Sequence, residues 1–136
     1  MLGELLAQGS GKRTGLRVLQ SDGPSPKVEI SIEGTSTVLG FKAQEMDTYW
    51  QTFKAEGVLY GEGQGVLMTE QGDVAQFRGF GIARVSAPGA PIRYAVCGSF
   101  STTSERLARL NSVAVVSEYE IDEEGNYAYK TFEWKA

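Results

Sequence analysis

The chain has 136 residues, a formal net charge of −4, 41% hydrophobic and 22% charged residues. Such a balance predicts one globular domain with one hydrophobic core and excludes a disordered chain. The acidic balance and the lack of any basic run argue against nucleic acid, and no apolar run is long enough to span a bilayer.

Histidine is absent and cysteine occurs once, as Cys97. No Ser-His-Asp or Cys-His arrangement can form, and zinc, which draws on those two residues, has no ligand set. Acid–base chemistry falls to Asp, Glu, Tyr, Lys or Cys. No metal and no cofactor is expected. A single cysteine leaves no intrachain disulfide and fits a reducing compartment. The N-terminus is a poor signal peptide, because Glu4 interrupts its apolar stretch and Lys12 and Arg13 follow it. A soluble, cytoplasmic protein is the expectation.

In chain order, residues 1–12 read as a short helix or an arm, since Leu2, Leu5 and Leu6 have helical spacing. The stretch Gly9-Ser10-Gly11-Lys12-Arg13-Thr14 is only faintly like a phosphate-binding loop, because Leu6 and Arg13 stand where Gly and Ser or Thr belong. Arg13–Gln20 reads as a strand and Ser21–Pro26 as a loop. Val28, Ile30 and Ile32 alternate with polar residues, the pattern of a half-exposed strand. Gly34 reads as a bulge or a turn into a further strand over Thr35–Lys42. Strands follow over Thr48–Lys54, Val58–Thr69, Asp73–Val85 and Ile92–Ser101. Thr102 and Glu105 can form a capping box, which predicts a short helix over Thr102–Leu110. A hairpin of Val113–Asp122 with Tyr127–Trp134 ends the chain.

Three connections share one form: Ala55-Glu56-Gly57, Glu70-Gln71-Gly72 and Glu123-Glu124-Gly125. Two residues of a type I turn followed by a left-handed glycine make a tight hairpin loop. Each therefore joins neighbouring antiparallel strands and sets their register. Gly63 falls opposite Gly79, Gln64 opposite Arg78, Trp50 opposite Glu62, Tyr49 opposite Gly63, and Glu118 opposite Lys130. About eight sequential strands leave two long edges unless the sheet closes. The predicted fold is all-β: an antiparallel up-and-down β-barrel of about eight strands, with the Thr102–Leu110 helix near one mouth. A β-sandwich is the alternative.

The register sorts the side chains into two faces. Tyr49, Phe53, Leu59, Gly61, Gly63, Gly65, Leu67, Ala75, Phe77 and Ala83 share the odd face. Trp50, Tyr60, Glu62, Gln64, Gln76, Arg78, Phe80 and Ile82 share the even face. With the odd face inward, Glu62, Gln64 and Arg78 form an outer polar ladder. With the even face inward, Trp50, Tyr60, Glu62, Gln64, Arg78 and Phe80 become ligand-binding residues around a pocket of at least ~300 Å³. Glu62 is then the catalytic candidate of a cofactor-independent isomerase or cyclase. A third reading makes Trp50, Tyr60, Phe80 and Ile82 an outer apolar patch that pairs two copies in a homodimer. Glu118, Glu120 and Asp122 read as a solvated face. Tyr119, Ile121, Tyr127 and Tyr129 read as core, with ligand stacking as the alternative. Cys97 reads as a small buried hydrophobe.

The run Gly61–Gly65, the segment Phe77-Arg78-Gly79-Phe80-Gly81, Leu107–Asn111, Glu118-Tyr119-Glu120 and Phe132-Glu133-Trp134 together resemble small uncharacterised bacterial proteins. Their architecture is similar to the allene oxide cyclase-like and lipocalin-like barrels. The resemblance covers roughly residues 27–136 and is one of architecture. It implies a barrel that binds a small apolar or amphipathic ligand. Plant allene oxide cyclases are isomerases with an apolar cavity and a few polar side chains, but none of their functional residues maps onto this sequence. Haem-binding barrels commonly use a histidine ligand, so its absence here counts against haem.

Overall fold

The computed structural model describes all residues from Met1 to Ala136. Eight strands run in sequence: β1 (Leu2–Leu19), β2 (Lys27–Val38), β3 (Phe41–Ala55), β4 (Val58–Thr69), β5 (Val74–Arg84), β6 (Ile92–Thr102), β7 (Ala114–Ile121) and β8 (Asn126–Trp134). Each pairs antiparallel with the next, and β8 returns to β1 to close the barrel. Closure leaves no free edge, as the strand count predicts. No helix is long and apolar enough to cross a membrane.

The repeated turn behaves as its sequence dictates. Gly57, Gly72 and Gly125 have φ of +70°, +90° and +88°. At Gly72 the loop is closed by Gly72 N–H donating to Thr69 O and Thr69 N–H to Asp73 O, both at 2.9 Å. At the first turn a bulge between Phe53 and Ala55 takes up the odd residue, so Trp50 still pairs with Glu62 and Tyr49 with Gly63. Gly63 pairs with Gly79, Gln64 with Arg78, and Glu118 with Lys130. The odd face of β3, β4 and β5 points inward, except that Phe53, beside the bulge at the end of β3, is exposed.

Four local expectations are corrected. Residues 1–12 form no helix or arm but the first half of β1, paired with β2 on one side and β8 on the other. Two ladders of backbone hydrogen bonds outweigh the weak helical spacing of three leucines. Bulges around Leu5 let the adjacent Leu6 and Ala7 both reach the core. A strand over Thr35–Lys42 is also absent. The chain reverses at Leu39-Gly40, with φ of +49° and +84°, in a two-residue turn whose leucine gave no glycine or asparagine signal at its first position. Leu39 N–H donates to Leu6 O at 2.9 Å, and its side chain packs on the core, which holds it in this uncommon conformation.

The Thr102–Leu110 helix is a 3₁₀ turn over Ala108–Ser112. Thr102 ends β6 instead of opening a helix. Its Oγ1 accepts from Ser104 N–H and donates to Val74 O, while the Asn111 amide bonds both backbone groups of Thr102. These local bonds draw the segment into a compact plug. Leu107 and Leu110 are fully buried there, against Leu6, Val38, Leu67, Phe100 and Val115. Cys97 is exposed, because inward positions on β6 are the even ones, Tyr94 and Phe100 among them.

Near the other end two smaller clusters pack. One is Leu59, Ala83 and Tyr94; the other is Ile30, Ile32, Ile121 and Tyr127. The middle of the barrel, between plug and mouth, carries polar inward residues.

Candidate functional site

Inward positions on β3 are Ala43, Glu45, Asp47, Tyr49 and Gln51. Their partners on β4 are Thr69, Leu67, Gly65, Gly63 and Gly61. A run of glycines thus lies beside the largest inward side chains. A Cβ at position 65 would overlap Asp47 Oδ1, and one at position 63 would overlap Tyr49. At positions 79 and 98 it would lie 2.8 and 2.5 Å from Phe77 Cζ. Carboxylate and rings therefore occupy the space the glycines leave.

A cavity of about 130 Å³ remains among them. Asp47, Tyr49, Phe77, Tyr94, Phe100 and Tyr119 line it, and no Lys or Arg does. It is smaller than the ~300 Å³ expected of a pocket for a drug-sized molecule, because tyrosine and phenylalanine rings fill the barrel.

Two carboxyl groups sit here with unlike surroundings. Glu45, 4% exposed, accepts a hydrogen bond from Tyr127 Oη at 2.7 Å and a second, shorter one from Tyr129 Oη. Burial raises its pKa and the two hydroxyls pull it partly back. Ser36 Oγ is buried near that carboxylate without a well-formed hydrogen bond of its own. Asp47 has no hydrogen-bonding partner. Burial, and then the negative charge of Glu45, push its carboxyl up to about 7. Groups whose environments differ in this way are suited to different roles, one fixed in place by two hydroxyl donors and the other free to exchange a proton.

Tyrosines complete the wall. The Tyr49 and Tyr119 hydroxyls lie 3.0 Å apart, and Tyr94 donates to Gln51 Oε1 at 2.6 Å. Burial raises the pKa of Tyr49 to about 12 and shifts Tyr94 and Tyr119 upward too, so all three remain protonated donors. At the rim the Arg13 guanidinium packs over Gly125 of the β7–β8 turn.

The six side chains of the even-face pocket lie elsewhere. Glu62, Gln64, Arg78 and Phe80 are exposed on the outer wall, and Trp50 and Tyr60 are half-buried there. Period-2 alternation turns these side chains away from Tyr49 and Phe77, although the strand segments of Glu62, Gln64 and Phe80 border the cavity between the glycines. They do come together outside. Tyr60 packs against both Trp50 and Phe80, with centroids 5.7 and 6.3 Å apart, and Lys27 Nζ lies 4.1 Å from the Trp50 ring centre. Glu62 accepts a hydrogen bond from Tyr60 at 2.7 Å.

Glu45 and Asp47 were missed because the predicted strand began at Thr48. Extending its alternation backwards from Tyr49 would have put both carboxylates on the inner face. Tyr119 and Tyr127 lie inside as the core reading has it, and Glu118 is exposed as a solvated face requires. No three carboxylate or cysteine side chains come together as a metal site.

Neither a protein-family model nor a curated protein matches this chain. Solved structures do. A conserved protein of unknown function from Rhodopseudomonas palustris is 14% identical with a TM-score of 0.81, covering 98% of this chain and 97% of its own. A protein of unknown function from Clostridium acetobutylicum is 14% identical with a TM-score of 0.82, covering 97% and 98%. A β-barrel-like protein from Acinetobacter baumannii is 16% identical with a TM-score of 0.81, covering 99% and 96%. At these identities the likeness shows a shared eight-stranded barrel fold; the allene oxide cyclase-like resemblance gains no support beyond architecture.

Proposed function

We propose that this barrel binds a compact small molecule in its interior, with Asp47 as polar anchor and Tyr49, Tyr119 and Phe77 as walls. One observation carries the reading: a half-buried carboxyl with no hydrogen-bond partner in the protein faces a cavity walled by aromatic rings. A carboxyl held inside a barrel with no protein partner is costly to ionise there, which favours a role in binding over one in packing. The cavity volume suits a single ring, since a cavity of ~150 Å³ accepts benzene. Any proton transfer on such a ligand would use Asp47, since Glu45 is already engaged by two tyrosine hydroxyls. The isomerase or cyclase reading thus moves from Glu62 to Asp47.

Both tryptophans, Trp50 and Trp134, lie outside the barrel, which supplies the test. Small ring compounds are titrated while tryptophan emission and tyrosine side-chain NMR signals are followed. An interior ligand moves Tyr49 and Tyr119 signals and leaves emission unchanged. Binders that quench Trp50 and leave the inner tyrosines untouched would return the site to the outer wall.

The exposed aromatic strip favours a second reading, self-association. Glu62 and Arg78 lie on the same strip with no ion-pair partner, so a two-fold axis could set each against its opposite. Sedimentation at micromolar concentration decides it: Trp50→Ala should dissociate a dimer, and a wild-type monomer sinks the idea.

A further inference from the structure

The charge balance of the cavity identifies a class of ligand, on the reading that the cavity is the binding site. Glu45 and Asp47 bring two carboxyl groups into the barrel at adjacent inward positions of β3, and no cationic side chain lines the cavity beside them. Glu45 already holds two tyrosine hydroxyls; Asp47 holds none. In the wall of the same cavity the rings of Tyr49, Tyr94 and Tyr119 pack against one another, with centroids 6.2, 5.7 and 6.0 Å apart. Their hydroxyls are engaged with one another or with Gln51, so their apolar surfaces, not their donors, are free for a ligand. Aromatic faces and a carboxylate both attract an organic cation, and the same groups repel an anion. We infer that the cavity takes a small organic cation, an amine or quaternary ammonium group of about tetramethylammonium size, with Asp47 as counter-ion and the packed tyrosine rings as an aromatic wall beside it.

The charged and titratable groups that act on this site are few. Glu45 lies beside Asp47 on β3, Tyr49 follows it, Tyr119 faces it from β7, and Tyr127 and Tyr129 face it from β8. Arg13 is the cation whose field reaches Tyr49 from the mouth. The tyrosines keep their protons throughout the neutral range. A bound cation must therefore draw its counter-charge from the carboxyl pair, and its affinity should rise as pH rises through neutrality.

The test titrates tetramethylammonium chloride and its neutral isostere tert-butanol into the protein. Aromatic side-chain NMR of the inner tyrosines and phenylalanines is the readout, with sodium chloride held at matched ionic strength. At pH 8 the cation should bind at least about tenfold more tightly than tert-butanol, and at pH 6 that advantage should shrink. Asp47→Asn should abolish that advantage at pH 8. Should that variant fail to fold, the comparison of the two pH values on the wild-type protein still decides. Equal or tighter binding of tert-butanol at pH 8 would overturn the cation assignment and leave the cavity as a site for neutral molecules. If neither compound moves the inner signals at any soluble concentration, both the assignment and the cavity reading fall.

Discussion

Replacing Asp47 by asparagine should stabilise the protein at pH 8 and not at pH 4.5. The carboxyl lies above its ordinary value of 3.8, at about 7, because ionisation inside the barrel is opposed by burial and by Glu45. Well below pH 3.8 the group is protonated in folded and unfolded chains alike, and no penalty arises. Between the two values the unfolded chain releases the proton and the folded one retains it, so stability falls as pH rises. At about 1.4 kcal/mol per unit over roughly three units, the ceiling on the penalty is ~4 kcal/mol. An asparagine amide in the same place has no partner either, and that offsets roughly 1–2 kcal/mol. The expected net gain is therefore about 2 kcal/mol at pH 8, fading toward zero at pH 4.5. Urea denaturation of both proteins across that range measures it. A difference that does not change with pH, or a variant less stable at pH 8, would refute the reasoning.

Tyr127→Phe removes one of the two hydroxyls on Glu45 and should cost about 1.5–3 kcal/mol at neutral pH, with the Glu45 carbon signal titrating at higher pH. Gly72→Ala meets no atom within 4 Å, so its cost is conformational alone, about 1–2 kcal/mol by chemical denaturation. Gly65→Ala, at ordinary φ, must instead displace the Asp47 carboxylate, and should perturb the inner tyrosine signals where Gly72→Ala does not. Leu110→Ala opens a hole in the plug and should lower unfolding free energy by about 2–5 kcal/mol without altering far-ultraviolet dichroism.

The strands and their register were legible because two local signals agree. Each left-handed glycine fixes a hairpin, and alternation assigns the faces, so Trp50 opposite Glu62 follows from a turn seven residues away. What was not legible depends on partners distant in sequence. β1 is a strand because β2 and β8 flank it, and nothing in residues 1–12 announces those neighbours. Likewise Leu39 adopts a left-handed conformation because Leu6 O and the core hold it there. The helix signal at Thr102 was a correct reading of capping chemistry, but the same side chains served a strand end and a 3₁₀ plug.

The site itself was visible as its own negative. Gly61, Gly63 and Gly65 on β4, with Gly79 and Gly81 on β5, mark an inner face with no side chains, and strands weakened in that way need a compensating gain. The gain lies one strand away, where Asp47, Tyr49 and Phe77 project into the space left open. Sequence shows the gap directly and its occupants only through register. A carboxylate could have been packed out by a leucine, as Leu67 does beside Glu45. Instead β3 keeps two acids in the middle of the barrel, one held by tyrosine hydroxyls and one unpartnered, at a cost in stability that packing does not explain. A barrel whose only task was to stay folded would gain by losing Asp47. Its presence opposite a glycine shaped to receive it is the strongest reason to seek this protein's chemistry inside the barrel and not on the aromatic strip outside.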